Sequence, residues 1–145
     1  MQLHLIVGAD HAGFALKEKL KRAWKKQGRT FDDVTPDFAA EDDYPAVAQQ
    51  VSQVVAQDPR ARGVLICGSG IGMAIAANRT RGVRAFLGQT EMDVRLARQD
   101  NDANVITLSG RRLSAAKALA LTAAFLKVRF SKSARHRRRV QQLDA

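Results

Sequence analysis

Cysteine is almost absent from this chain. Cys67 is the single one in 145 residues, so no disulfide can form within the chain. A lone cysteine is usually a small buried hydrophobe. Aromatic residues are scarce at 6%, and no zinc-knuckle or ribonucleoprotein-type motif accompanies them. No apolar run approaches the ~18–20 residues that a membrane-spanning helix needs. The opening Met1-Gln2-Leu3-His4-Leu5 leads straight into core-strand sequence. It has neither the basic region nor the small-residue cleavage site of a signal peptide, so the expected location is cytoplasmic. Acidic residues are few, 14 against 24 Lys and Arg, leaving a formal charge of +10. Such a balance points to anionic partners: nucleic acid, a membrane surface or phosphorylated metabolites. There is no low-complexity segment, internal repeat or linker, and the length suits one domain spanning residues 1–145.

What is present is an alternation of short apolar runs with helical patterns, the mark of a parallel α/β sheet. Leu3–Val7 reads as a buried strand ending at Gly8. Ala12, Leu16, Leu20 and Trp24 repeat every four residues as one helix stripe, with Gly28 placed for its carboxyl-terminal cap. Thr30–Val34 is a weak second strand, and Thr35–Asp43 an acidic loop containing Pro36. Val47, Val51, Val54 and Val55 mark a second helix ending near Asp58-Pro59. Gly63–Cys67 is the third strand, followed by a helix over Ile71–Asn78. Val83–Leu87, Glu91–Gln99 and Val105–Leu108 continue as strand, helix, strand. Ala115–Phe130 is apolar over much of its surface, which predicts burial on more than one side, against a second subunit. A basic helix closes the chain over about Ser133–Leu143. Five strands with these connections predict a doubly wound, three-layer sheet whose ligands collect at the carboxyl ends of the strands. Asp10-His11 follows strand one and Cys67-Gly68-Ser69-Gly70 follows strand three, so both point to one rim.

Gly68-Ser69-Gly70-Ile71-Gly72 opens a helix directly after a strand. Its free N–H groups can cradle a phosphate or a developing oxyanion, or its glycines can serve only a tight turn. Neither the Walker lysine pattern nor the Gly-x-Gly-x-x-Gly dinucleotide fingerprint fits. A thiol at a helix amino terminus can be acidified toward neutrality, which suits proton abstraction beside a carbonyl. A cysteine phosphatase would need Cys-x5-Arg, and the residue six after Cys67 is Met73. Asp10 can be a helix cap as well as a site residue, and His11 can be a strand-end histidine satisfied by a backbone carbonyl.

Gly8-Ala9-Asp10-His11-Ala12-Gly13-Phe14, Asp43-Tyr44-Pro45, Cys67-Gly68-Ser69-Gly70-Ile71-Gly72, Ala76-Ala77-Asn78, Asn101-Asp102-Ala103-Asn104-Val105, and Arg135-His136 with Arg139 occur in this order. Over roughly residues 3–142 the chain resembles the ribose-5-phosphate isomerase B and galactose-6-phosphate isomerase family. The resemblance implies a flavodoxin-like five-stranded parallel sheet with a carboxyl-terminal helical extension. It implies a homodimer, sometimes paired into a tetramer, with active sites shared between subunits and neither metal nor organic cofactor. It implies an aldose–ketose isomerase of a sugar phosphate. Cys67 matches the base that moves a proton between C2 and C1. Ser69 and the glycine loop (Gly68, Gly70, Gly72) match the anion hole, and Asp10 and Tyr44 match substrate contacts. His11, Arg135 and Arg139 match phosphate-side residues, and Asn101 and Arg111 match residues given by the neighbouring subunit. Arg135 and Arg139 are four apart and share a helix face fit for a phosphate, whereas Arg137 and Arg138 point elsewhere.

The chain departs from the family at Asp100-Asn101-Asp102, where relatives usually read His-Asn-Asp. That histidine is associated with opening the cyclic sugar; here the position is Asp100, and no residue from Arg95 to Val105 is a histidine. Asp100 can itself be the ring-opening base, or the enzyme takes open-chain sugar, or the substrate is a tetrose 4-phosphate that cannot form a furanose. Ser133-Ala134 also stands where relatives often have two glycines. Ribose 5-phosphate is the expected substrate, with tetrose 4-phosphates and hexose 6-phosphates as alternatives. Two further readings stand beside these: a sugar-phosphate sensor without activity, and a nucleic-acid binder acting through the basic tail, whose affinity would fall steeply with salt and ignore Cys67.

Overall fold

A computed structural model describes residues 2–145. Its elements in chain order are β1 (His4–Ala9), α1 (Phe14–Lys26), β2 (Asp32–Asp33), α2 (Tyr44–Gln57), β3 (Ala61–Cys67), α3 (Ile71–Ala77), β4 (Ala85–Leu87), α4 (Glu91–Asn101), β5 (Val105–Ser109), α5 (Ala115–Lys127) and α6 (Ala134–Leu143). All five strands are parallel, in the order β2-β1-β3-β5-β4.

Strand crossovers are right-handed, so the direction of each step decides which face its helix covers. The steps β1 to β2 and β4 to β5 run one way, and the steps β2 to β3 and β3 to β4 run the other. α1 and α4 therefore lie on one face, joined there by α5, and α2 and α3 lie on the opposite face. The two-residue period of the strands fills both layers. Val7, Val64, Ile66, Ile106 and Leu108 pack with Leu20, Trp24, Val94, Leu121 and Phe125. Ile6, Leu65, Cys67 and Val105 pack with Val51, Val55, Met73 and Ala77.

The doubly wound parallel sheet is as the pattern predicts, but its order is not that of flavodoxin, 2-1-3-4-5. β5 lies between β3 and β4. Every residue of Val105–Ser109 is buried, as a strand covered on both faces requires, whereas the three residues of β4 are only half-buried. A short, half-exposed strand belongs at an edge. Asn78 completes that edge: its amide donates to the Ala85 carbonyl and accepts the Ala85 N–H, both at 2.8 Å.

Several bounds move for local reasons. β4 begins at Ala85 rather than Val83, because Val83 N–H closes a turn on the Thr80 carbonyl and Arg84 N–H donates to the Asn104 side chain. α5 stops at Lys127, where Val128 turns extended and gives its carbonyl to Arg98. Within one chain only one face of α5 is buried; Ala116, Ala120 and Ala123 on the other face are exposed. β2 shrinks to Asp32–Asp33 because Asp33 turns to the lysines of α1. Lys17 is fully buried there, donating to Asp33 Oδ2 at 2.8 Å and to the Thr35 carbonyl. A buried charge is tolerated only when paired and hydrogen-bonded in this way. Thr35 Oγ1 in turn accepts the Ala9 N–H at 3.0 Å, which fastens the loop after β2 beside Asp10.

Candidate active site

The helices that follow β1 and β3 go to opposite faces, so a crevice opens between the carboxyl ends of these neighbouring strands. Asp10 forms one wall. Its N–H donates to the Ile66 carbonyl, and its Oδ1 accepts the Gly13 N–H at 3.0 Å. Asp10 thus braces the turn before α1, while Gly13 holds the cap position itself. His11 stands exposed beside it. Its backbone N–H and its Nδ1 both reach Asp42 Oδ1, at 2.8 and 3.0 Å. A carboxylate only accepts, so Nδ1 carries the proton and Nε2 faces outward. The partner is this carboxylate, not the backbone carbonyl that a plain strand-end histidine would use. The Asp42 hydrogen bond raises the His11 pKa above its ordinary value.

Cys67 ends β3 and is buried, and the Gly70 N–H donates to its Sγ at 3.2 Å. Gly70 takes φ +77°, a left-handed conformation that glycine adopts readily where the loop turns into α3. Ser69 Oγ accepts the Ile71 N–H, leaving the hydroxyl proton free to donate. The loop carbonyls are tied down from β5: Thr107 Oγ1 donates to Gly70 O at 2.8 Å, and Ser109 Oγ to Gly68 O at 2.7 Å. These two positioning residues were not among the expected site residues. Their signal is polarity inside the otherwise apolar run Val105–Ser109. Gly110 N–H also donates to the Cys67 carbonyl, at 2.8 Å.

Two more side chains close over the loop. A Cβ on Gly72 would lie 2.6 Å from Tyr44 Cζ, so the Tyr44 ring rests on the start of α3. A Cβ on Gly68 would lie 2.9 Å from Arg111 Cζ. Arg111 therefore sits on this chain's own glycine loop; the tight turn after β5 places it there, since Arg111 N–H donates to Gly68 O. One rim thus gathers Asp10, His11, Tyr44, Cys67, Gly68, Ser69, Gly70, Gly72 and Arg111.

Asp100, Asn101, Arg135 and Arg139 form a second group elsewhere. α4 starts at the carboxyl rim and runs back, so Asp100 and Asn101 end near the amino ends of the strands. Gly63 N–H, early in β3, donates to the Asn104 carbonyl just beyond them. Cys67 pairs with Ser109 at the far end of β5. The two groups are therefore separated by more than the length of β5, about 13 Å at ~3.3 Å per residue. α6 lies along that amino edge. Its carboxyl end is held by Arg84 Nη1 on the Asp144 carboxylate at 2.8 Å, and its amino end packs near Gln99, whose carbonyl accepts the Ser131 N–H. Arg135 and Arg139 are exposed, and His136 between them is buried with Nε2 3.7 Å from Asp100 Oδ1. His136 was part of a quoted motif without a role; its contact with Asp100 spans two helices and has no signature in local spacing. Among the described residues no group of three or more His, Cys, Asp or Glu is placed to hold a metal ion, and no helix is long and apolar enough to cross a membrane.

A family model described as Ribose/Galactose Isomerase matches residues 5–143. Ribose-5-phosphate isomerase B of Mycobacterium tuberculosis is 37% identical over 142 residues, covering 97% of this chain and 88% of that protein. The crystal structure of a ribose 5-phosphate isomerase from Thermotoga maritima superposes with a TM-score of 0.92 at 38% identity, covering 99% of both chains. Ribose-5-phosphate isomerase B from Mycoplasma genitalium, solved with bound ribulose-5-phosphate, superposes with a TM-score of 0.91 at 35% identity, covering 99% of this chain and 95% of that one.

Proposed function

We propose a reaction from a firm premise: this chain belongs to the Ribose/Galactose Isomerase family and is a sugar-phosphate aldose–ketose isomerase. The proposed reaction is the interconversion of ribose 5-phosphate and ribulose 5-phosphate. The observation that carries it is Cys67 Sγ held under a glycine loop on the rim that also presents Asp10 and His11. The Cys67 thiolate takes the proton from C2. The C2–H electrons form the C1–C2 double bond, and charge moves onto O1. The Ser69 hydroxyl and the Gly72 N–H meet that charge, which is greatest in the transition state. The O2 proton passes to O1, and the thiol returns its proton to C1, giving the ketose. Asp10 and Tyr44 hold the sugar hydroxyls, and the outward Nε2 of His11 meets the phosphate.

Arg135, Arg139 and Asn101 complete the site from the partner of a homodimer in this reading. The distance between the two groups within one chain supports it. So do Ile71 and Ile75 beside the rim, 47% and 64% exposed, and Met92 on α4, 60% exposed. A cytoplasmic setting fits chemistry that needs a reduced thiol. The test is isomerisation of ribose 5-phosphate and erythrulose 4-phosphate, side by side, by the wild type and Cys67→Ala. Ribose 5-phosphate activity that falls about 10²–10⁴-fold in the variant supports the reading. Activity confined to the tetrose would replace it with the second reading, which Asp100 motivates, because a tetrose 4-phosphate has no furanose to open.

A further inference from the structure

Ribose 5-phosphate in water is a furanose hemiacetal, and an enediolate forms only from the open aldehyde. Opening the ring moves the anomeric hydroxyl proton to a base, breaks C1–O4 and delivers a proton to O4. On the Cys67 rim the acid–base side chains carry other bonds: Asp10 braces Gly13, and His11 is tied to Asp42. The second group holds an acid–base pair with no such duty. The Asp100 side chain is 43% exposed and accepts no hydrogen bond among the described residues; the His136 ring that faces it is 9% exposed.

Two contacts hold the His136 ring. Nε2 faces the Asp100 carboxylate at 3.7 Å, an ion-pair distance rather than a hydrogen bond. Nδ1 shares a 2.6 Å hydrogen bond with Ser131 Oγ. Ser133 N–H donates to Ser131 Oγ at 3.4 Å, which steadies that hydroxyl beside the ring. Ser133 Oγ accepts the His136 N–H, so the same loop pins the backbone as well. The buried imidazole is held against a half-free carboxylate.

We infer that Asp100 opens the sugar ring, with His136 as its positioning residue and Ser131 holding the imidazole in place. The inference rests on the isomerase reading above and deepens it. The Asp100 carboxylate accepts the O1 proton, the C1–O1 double bond forms as C1–O4 breaks, and the new carboxylic acid gives the same proton to O4. The His136 ring beside it positions the carboxylate before and after, and no net proton is gained or lost. The family's histidine position is thereby replaced by a carboxylate braced by an imidazole from α6.

Ring opening can be read without isomerisation, as exchange between the α and β anomers of [1-¹³C]ribose 5-phosphate by NMR magnetisation transfer. Cys67→Ala, which cannot move the C2 proton, is the background. The expected result is exchange accelerated over buffer by about 10-fold or more, abolished by adding Asp100→Asn, reduced about 5-fold by adding His136→Asn, and restored by Asp100→His. A Cys67→Ala protein that does not accelerate exchange, or acceleration that survives Asp100→Asn, overturns the inference. Where His136→Asn does not fold, Asp100→Asn at its half-exposed position decides alone. Failure of the isomerase reading shows separately, as a protein with Cys67 intact that converts no ribose 5-phosphate.

Discussion

Replacing Gly70 by alanine adds one methyl group where the chain is both left-handed and crowded. The φ of +77° costs an L-residue about 1–2 kcal/mol. The new Cβ would lie 2.6 Å from Leu87 Cδ1, which can swing away, but also 3.0 and 3.1 Å from the Leu108 carbonyl carbon and oxygen, which β5 holds in place. Shifting the loop by a few tenths of an ångström adds about 1–2 kcal/mol, for a total of about 2–4 kcal/mol. An unfolding entropy of ~2.1 cal/mol/K per residue gives about 0.3 kcal/mol/K here, so Tm should fall by about 7–13 °C. Gly28→Ala is the internal control. Its φ is +71°, yet nothing lies within 4 Å of the added carbon, so strain alone acts and Tm should fall by about 3–7 °C. The two should separate further in turnover. Moving Gly70 draws its N–H off Cys67 Sγ and its carbonyl off Thr107, lowering kcat/KM for ribose 5-phosphate by about 10- to 100-fold. Gly28, past the carboxyl end of α1, should leave it within about 2-fold. Thermal melting by circular dichroism and a ribulose 5-phosphate colour assay read both. Equal losses of Tm with equal rates would refute the role given to the Gly70 amide.

Lys17→Met should cost about 2–4 kcal/mol, less than a fully orphaned buried charge, because Asp33 keeps Lys21 at 2.6 Å and the Thr35 N–H at 2.9 Å. Burial pushes the Asp33 carboxyl up, but hydrogen bonds from Lys17 and Lys21 outweigh it and hold the pKa below its ordinary 3.8. That stabilisation is present above 3.8 and lost as pH falls through the lower folded value, so urea melts of Lys17→Met should lose less stability on acidification than wild type. His11, raised by Asp42 from 6.5, should stay protonated above that pH, and a ¹H–¹³C titration of Asp42→Asn should move it back down. KM for the phosphate substrate should climb as pH passes the folded His11 value, and should climb at lower pH in Asp42→Asn. Mixing Cys67→Ala with the Arg135→Ala/Arg139→Ala double variant, each inactive alone, should restore about a quarter of wild-type activity through one intact site in half of the exchanged dimers.

The two-residue and four-residue periods were legible because they depend on burial alone. Leu16, Leu20 and Trp24 had to share a face whatever they met there. The Asp10-His11 and Cys67 motifs were placed on one rim because parallel strands put all their carboxyl ends together. The exchange of β4 and β5 was not legible. Both are short and apolar, and their order rests on how completely each is covered, which only packing reveals. Lys17 and Arg98 carry charges in helices with exposed faces, and nothing in their spacing marks them as buried; the acceptors that allow it, Asp33 and Asp102, are supplied by the fold. His136 illustrates the same limit. Its neighbours along α6 are arginines facing water, while its own ring is buried between Ser131 and Asp100 of another helix.

Helix polarity explains why the predicted site residues fall into two groups. A helix that links parallel strands must carry the chain from the carboxyl rim back to the amino edge. The end of α4 therefore cannot lie on the rim where Cys67 sits, however close the motifs are in sequence. Residues needed at both places can meet only between chains. In the proposed homodimer a two-fold axis roughly perpendicular to the strands would make the contact twice, setting the Asp100 group of each protomer on the Cys67 rim of the other. A head-to-tail contact would complete one site and leave two groups unpaired, inviting further addition. Two equivalent sites would then come from one interface, and anything that weakens it would remove Arg135, Arg139 and Asp100 from the proposed site together. Activity should thus vanish on dilution as a single event, with proton transfer and ring opening lost at the same protein concentration.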